Sequence, residues 1–261
     1  MNCPFFQVDA FANQVFSGNS ACVVILQKWP KESTLLNIAR ENAVAETAFI
    51  VTKEGRHQLR WFTPDLEIDL CGHATLAAGH VILHHFESNR NHAIFETASG
   101  VLEVHRHGNM YRIDLPNRPP VATQLPDLIA HSLSKQPLEV LKARDYVLVY
   151  AQESDIIGLK INREQFDKTN LDPGGVAATA PGATCDFVSR FFTPQATILE
   201  DPVTGSAHCS LAPFWGKRLG KRKLNARQIS TRGGELQCEV LGDRVLLFGH
   251  AVTYAEGEIH L

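Results

Sequence analysis

Several features that mark other protein classes are missing from this chain of 261 residues. Its six cysteines include no CxxC pair, which argues against a structural zinc site and against a disulfide framework. No stretch approaches the roughly eighteen apolar residues of a membrane span. The first residues, MNCPFFQVDAF, lack the charged and then apolar pattern of a signal peptide. We therefore expect a cytoplasmic protein that does not bind membranes.

Signatures of nucleotide and hydrolase chemistry are missing as well. The sequence contains no GxGxxG, GxxxxGK, GxSxG or HExxH motif. Its twelve histidines are scattered along the chain. We expect neither a cofactor nor a bound metal.

The charge balance gives no sign of nucleic-acid binding. The net charge is −3, and the dense basic run is GKRLGKRK at 216–223. Basic residues are favourable at the C-terminal end of a helix, where they complement its dipole. We expect this run to be such a solvated helix end.

The pattern of elements predicts an α+β fold with antiparallel sheets, because strands outnumber helices and one strong helix stands in each half. The four prolines of PNRPPVATQLP, 116–126, suggest a linker. The predicted domains are 1–117 and 118–261, and the final strand belongs either to the second domain or to the first.

An internal sequence repeat indicates that the two halves are related. RWFTP at 60–64 returns as RFFTP at 190–194, and each copy is followed by a small-residue turn into a helix, CGHATLAAG and TGSAHCSLAP. A recurrence at half the chain length indicates a duplicated domain and not a short-period solenoid.

The stretch EDPVTGSAH at 200–208 has the residue types of an anion-binding site. Gly205 and Ser206 precede an apolar helix, so backbone N–H groups and the positive end of the helix dipole would favour an anion. The alternative is ordinary helix capping, which uses the same residue types.

Three titratable residues, Glu46, His73 and Asp201, lie where the local sequence favours a functional role. Glu46 precedes the apolar run TAFIV, where a partly desolvated carboxyl can carry a proton near neutral pH. His73 follows Gly72 at a helix start, and Asp201 precedes a proline. Each also has a structural alternative: a local pair or cap for Glu46, helix capping for His73 and Gly72, and a turn for Asp201.

Taken together, FFQVDAF with the following GN, AETAF, FTP, CGHAT and EDPVTGSAH resemble the phenazine-biosynthesis PhzF-like family of isomerases. That family is similar in fold to diaminopimelate epimerase, and the resemblance covers essentially the whole chain. It implies two pseudo-symmetric α+β domains, each a mostly antiparallel sheet wrapped around a central helix, with the active site in the cleft between them. It also implies a homodimer that works without cofactor or metal.

By this resemblance, Glu46 would be the acid/base, with His73 and Asp201 assisting. Asn19, Gly72, Gly205 and Ser206 would contact a small carboxylate substrate. The expected reaction is a proton shift within one molecule.

Two alternatives stay open. A two-thiol racemase of the same fold would use Cys71, but its second thiol position falls at Thr204, whose hydroxyl is a far weaker acid. For Cys71 we favour a buried packing role. A non-catalytic binding protein on the same scaffold is the other alternative.

Overall fold

Two units whose strands pair in the same order make up the chain. The structure is a computed structural model that describes residues 2–171 and 174–261. The first unit comprises the residues up to Asp114 together with Phe248–Leu261, and the second comprises Leu115–Leu247. Within the described residues, no helix is long and apolar enough to cross a membrane.

Strands dominate both units. In chain order they are β1 (Asn2–Ala10), β2 (Asn19–Leu26), β3 (Glu46–Lys53), β4 (Arg56–Phe62), β5 (Glu67–Ile68), β6 (His92–Thr97), β7 (Gly100–His107), β8 (Met110–Pro116), β9 (Val121–Ala122), β10 (Glu139–Lys142), β11 (Tyr146–Val149), β12 (Val176–Pro181), β13 (Phe187–Phe192), β14 (Glu200–Asp201), β15 (Lys223–Gln228), β16 (Gly234–Leu241), β17 (Arg244–Gly249) and β18 (Ala251–His260).

The helices are fewer and mostly short. They are α1 (Glu32–Asn42), α2 (Gly72–Val81), α3 (Asp127–Ser132), α4 (Glu153–Ile157), α5 (Arg163–Phe166) and α6 (His208–Leu219). A π-helical turn (Ile82–Phe86) continues α2, and a 3₁₀ turn (Gly205–Ala207) leads into α6.

In the first unit, one mixed sheet surrounds α2. The strands follow the order β18, β1, β2, β3, β4, β6, β7 and β8, with β5 paired to β4. The β2–β3 and β4–β6 pairs are parallel and the others are antiparallel. Every residue of α2 is buried, and the helix packs against β1, β2, β3, β7 and β18. A helix that is small and apolar all round suits such a central position.

The second unit repeats this order. Its strands run β9, β10, β11, β12, β13, β15 and β16, with β14 paired to β13. The parallel pairs, β11–β12 and β13–β15, fall at the equivalent places in the order. Helix α6 packs against β15 and β16. The repeated topology confirms the predicted α+β fold with two related halves.

The repeated sequence has a repeated interaction. Arg60 on β4 forms a two-pronged ion pair with Glu67 on β5, at 2.5 and 2.6 Å. Arg190 on β13 pairs in the same way with Glu200 on β14, at 2.7 and 2.8 Å. In both units an Arg–carboxylate fork therefore fixes the short strand that precedes the buried helix.

The predicted linker contributes to the fold of the second unit. Pro213 lies inside α6 and has no N–H, so the helix cannot supply a donor to the carbonyl of Cys209. The backbone N–H of Arg118 donates to that carbonyl at 2.9 Å. The helix accommodates its proline because the linker satisfies the carbonyl that the proline leaves without a helical partner.

Candidate active site

Glu46 stands where the chain turns from α1 into the first unit's sheet. Helix α1 ends at Asn42, its cap residue Ala43 adopts a left-handed conformation (φ 51°), and β3 starts at Glu46. Residue Glu46 is in register with Ala21 of the parallel strand β2. Its side chain keeps 16% exposure, whereas the next five residues of β3 are buried.

His73 is the second residue of α2 and lies inside the first unit. Its side chain is 4% exposed, and Nε2 lies 2.9 Å from Oε2 of Glu46. The start of a buried helix therefore places the imidazole directly against the carboxylate at the start of β3.

Asn19 and Cys71 occupy the other edge of the His73 ring. The Asn19 Nδ2 atom lies 3.2 Å from His73 Nδ1, and the Cys71 Sγ atom lies 3.6 Å from it. An amide nitrogen can only donate, so Nδ1 accepts in this arrangement. In the neutral ring the proton then sits on Nε2, facing Glu46.

The turn before Asn19 depends on a glycine. Gly18 has φ +67°, and a Cβ there would come within 2.2 Å of the carbonyl oxygen of Ala10. No other residue fits this approach without moving the backbone. Gly18 thereby fixes the start of β2, where Asn19 reaches His73.

Burial and charge oppose each other at His73. Burial lowers its pKa, but negative charge on Cys71 and Glu46, with hydrogen bonds to both, raises the pKa of His73 well above its ordinary value. Burial raises the pKa of the Cys71 thiol, and the Glu46 charge raises it further. A thiol with a raised pKa stays protonated, so we assign the support of the His73 cation to Glu46. A cationic ring would need the Asn19 amide to turn its oxygen toward Nδ1.

Asp201 lies at the end of β14 in the second unit, next to Thr204. The Thr204 hydroxyl donates to Asp201 Oδ2 at 2.5 Å. The buried side chain of Gln228 holds the same loop, since its Nε2 donates to the Asp201 carbonyl at 2.7 Å and its Oε1 accepts from the Thr204 N–H at 2.8 Å. No sequence motif points to Gln228, which lies at the end of β15.

Gly205 and Ser206 lie in the 3₁₀ turn that leads into α6. The Arg144 guanidinium donates to Ser206 Oγ at 2.9 Å and is held by Asp145 at 3.0 to 3.3 Å. Asp145 is buried and also accepts from the Gly175 N–H at 3.0 Å. A fixed cation beside a helix start suits an anion, and the sequence reasoning missed Arg144 because it is distant along the chain.

His208, the first residue of α6, is an unpredicted member of this loop. It is fully buried, and its Nδ1 donates to the Thr204 carbonyl at 2.8 Å. Burial lowers its pKa to about 4, so the ring is neutral near pH 7. His208 thus ties the 3₁₀ turn to the preceding loop without carrying charge.

The predicted site residues fall into two sets. Asn19 and Glu46 each contact His73 in the first unit, and Gly72 directly precedes His73. Asp201, Gly205 and Ser206 share one loop of the second unit. Cys71, for which the sequence favours packing, is buried and also touches the His73 ring.

Comparison with known proteins finds similarity over nearly the whole chain. The family model described as "Phenazine biosynthesis-like protein" matches residues 8–257. An uncharacterised isomerase of Pseudomonas aeruginosa is 44% identical, with all of both chains covered. The crystal structure of a PhzF-family phenazine biosynthesis protein from Enterococcus faecalis matches with a TM-score of 0.94 at 42% identity, covering all of both chains. A phenazine biosynthesis PhzC/PhzF protein from Clostridium difficile matches with a TM-score of 0.92 at 43% identity, over 99% of this chain and 100% of its own.

Proposed function

The chain belongs to the phenazine biosynthesis-like family and is an isomerase, and we propose that Glu46 and His73 move the proton in its reaction. The observation that carries the proposal is the 2.9 Å contact between Glu46 Oε2 and His73 Nε2. Paired acid and base groups at such a distance can pass a proton between them and hold it near neutral pH. Relatives that are named isomerases support the reaction class.

The proposed reaction is a proton shift within one small carboxylate molecule. Glu46 takes a proton from a carbon next to a carbonyl, a carboxylate or a double bond, and the electron pair of that C–H bond moves into a new double bond. The original double bond shifts, and Glu46 returns the proton to a different carbon. No oxidant, reductant or second substrate is needed for the balance.

His73 has a distinct part in this scheme. Nε2 carries a proton both in the cation and in the neutral ring whose Nδ1 accepts from Asn19, and it lies 2.9 Å from the Glu46 carboxylate. The imidazole thereby stabilises the carboxylate that is ready to accept a proton. Gly72, at the start of α2, adds a backbone N–H and the positive end of a buried helix to the same place.

The second unit offers a separate anion-binding feature. Ser206 at the start of the α6 segment is joined to Arg144, and a guanidinium is well suited to a carboxylate. We propose Ser206 and Gly205 as contacts for the substrate carboxylate and Asp201 as a residue that orients the substrate. Independence of cofactors, a homodimeric state and a cytoplasmic location remain proposals beside these.

The two-thiol racemase is less well supported. Its thiol would be Cys71, whose pKa is raised by burial, so that little thiolate is present at neutral pH. At the position of the second thiol, the Thr204 hydroxyl already donates to Asp201. A Cys71→Ser variant with full activity would remove this alternative.

Proton NMR in deuterium oxide tests the proposed function. Small carboxylates are incubated with the wild-type protein and with Glu46→Gln, which has nearly the same shape but cannot act as a base. Glu41→Gln serves as the matched control, because Glu41 is an exposed residue of α1. Deuterium incorporation or rearrangement in the wild type and in Glu41→Gln, with loss in Glu46→Gln, supports the proposal. Turnover that persists in Glu46→Gln overturns it.

A further inference from the structure

The Glu46, Cys71 and His73 side chains bring three kinds of metal ligand together. Each offers one ligand atom, and the three atoms all lie within 4.8 Å of one another. They come from the start of β3, the residue before α2 and the second residue of α2. Among the described residues, no other group of three His, Cys, Asp or Glu side chains meets this condition.

The ligand types define the class of cation. A thiolate sulfur, an imidazole nitrogen and a carboxylate oxygen suit borderline or soft divalent cations such as Zn²⁺ and Cd²⁺, whereas Mg²⁺ and Ca²⁺ prefer oxygen ligands alone. Zn²⁺ takes nitrogen and oxygen ligands at about 2.0 to 2.1 Å and sulfur at about 2.3 Å, in tetrahedral geometry. The 3.6 Å between Cys71 Sγ and His73 Nδ1 is close to the spacing that these bond lengths give for two ligands of one cation. Glu46 Oε2 lies 2.9 Å from the other ring nitrogen, Nε2, so the carboxylate has to move toward Nδ1 to share that cation. Three protein ligands leave one position open.

Charge balance favours occupation. A carboxylate and a thiolate together carry the two negative charges that neutralise a divalent cation, and the neutral imidazole adds none. Cys71 and His73 are buried, so a neutral assembly avoids the cost of an unpaired charge. Glu46, with its 16% side-chain exposure, is the member that solvent reaches.

Cation binding at this cluster must displace protons. Sulfur binds a cation as thiolate and imidazole binds through an unprotonated nitrogen, so any proton on Cys71 Sγ or on the coordinating nitrogen of His73 has to leave. Affinity should therefore rise with pH, and protons should be released to the buffer on binding.

We propose that Glu46, Cys71 and His73 form a binding site for a thiophilic divalent cation of the Zn²⁺ type, and that this cation inhibits the enzyme by occupying the proton-carrying groups. The inhibition part rests on the proposed function of Glu46 and His73, whereas the binding part does not. Cys71 thereby acquires a role that neither the isomerase scheme nor simple packing gives it.

Titration with Cd²⁺ tests the site without any substrate. The protein is freed of metal with a chelator, the chelator is removed, and Cd²⁺ is added while the ultraviolet thiolate-to-Cd²⁺ charge-transfer band is followed. We expect one equivalent of Cd²⁺ per chain to produce the band, with proton release measured in a weakly buffered solution, and Zn²⁺ to abolish the band by competition.

Matched variants locate the ligands. Cys71→Ser should lose the band. Glu46→Gln should keep a thiolate band but bind Cd²⁺ at least roughly tenfold more weakly, a loss typical even for outer partners of metal ligands. Cys185→Ser is the control, since Cys185 is the only cysteine among the described residues that is not buried and would be the main source of adventitious thiol binding. It should bind Cd²⁺ as the wild type does.

Each outcome bears on the proposal in a definite way. A band that disappears in Cys185→Ser and persists in Cys71→Ser overturns the site, as does the absence of any band in an active wild-type enzyme. A band that depends on Cys71 and Glu46 supports the site even if the deuterium experiment finds no turnover. The two proposals can therefore fail independently.

Discussion

Glu46 Oε2 and His73 Nε2 lie 2.9 Å apart, with the histidine buried and the carboxylate partly exposed. This contact links the protonation of the two side chains. A carboxylate beside an imidazole favours the imidazolium, whereas burial favours the neutral ring, and at His73 the charged neighbours outweigh burial.

We expect the His73 ring to titrate above the ordinary histidine pKa of about 6.5. Because its pKa is raised in the folded state, its stabilising contribution is present below the unfolded value and is lost as pH rises through the folded value. Glu46→Gln removes the negative charge to which we assign the support of the His73 cation and should lower the midpoint. NMR titration of the imidazole carbon signals measures the His73 midpoint in the wild type and in Glu46→Gln. An unchanged midpoint in Glu46→Gln would contradict the coupling.

Asn19 is expected to position His73 and not merely to contact substrate. Its side-chain amide contacts His73 Nδ1 at 3.2 Å, so Asn19→Ala removes the polar partner that holds this edge of the ring. A positioning role predicts a fall in kcat, roughly up to a hundredfold, with a changed pH profile and little change in KM. Ser20→Ala, at the next residue of β2, is the control. A rise in KM alone would assign Asn19 to substrate binding.

Acid should destabilise the protein through its buried neutral histidines. The pKa of His208 and that of His80 are both lowered to about 4, and burial is the largest cause for each. The unfolded chain binds more protons than the folded one between about pH 4 and 6.5, so the free energy of unfolding should fall as pH drops through that window. Urea unfolding at a series of pH values measures the slope.

His208→Gln should reduce that slope by about one proton, because glutamine cannot titrate. The matched control is His131→Gln, at an exposed position of α3. Equal slopes in wild type and His208→Gln would show that His208 does not contribute to the acid sensitivity.

The two-pronged ion pair of Arg190 with Glu200 should contribute more to the free energy of unfolding than a surface ion pair does. Arg190 binds Glu200 with two prongs and also donates to the carbonyls of Ile156 at 3.1 Å and Leu159 at 2.7 Å. Arg190→Ala leaves a half-buried carboxylate and two carbonyls without this donor, so we expect a loss of about 2 to 4 kcal/mol in the free energy of unfolding. Arg56→Ala removes an exposed pair and should cost less than about 1 kcal/mol. Similar losses for the two variants would be inconsistent with this account.

Close packing of α2 against the sheet leaves no room for a side chain at Gly79. A Cβ there would meet Val104 side-chain atoms at 2.4 to 2.7 Å. Gly79→Ala should therefore destabilise the protein by about 1 to 3 kcal/mol through overpacking. Gly257→Ala, in β18 where a Cβ meets nothing within 4 Å, should be nearly neutral. Urea unfolding of both variants makes the comparison, and an equally stable Gly79→Ala would show that α2 can shift.

Local chemistry explains what the sequence by itself determined. The alternation of apolar residues marks strands, proline marks the linker, and small residues mark the turns into α2 and α6, because these preferences act over a few neighbouring residues. The echo of RWFTP in RFFTP therefore predicted the duplication, which the repeated strand order and the repeated Arg–Glu forks confirm. The same motifs resemble those of the phenazine biosynthesis-like family, and the family model assigns the chain to that family.

Only the tertiary structure decided which side chains meet. Strand register and the placement of α2 bring Asn19, Glu46 and Cys71 to the two edges of one imidazole, and a register shift of one residue would separate them. The contacts of Arg144 with Ser206 and of Gln228 with the Asp201 loop join residues far apart in the chain, and no local pattern encodes such distances. The sequence pointed to Glu46 and His73 as candidate reacting groups, and packing determined their partners, their burial and therefore their protonation.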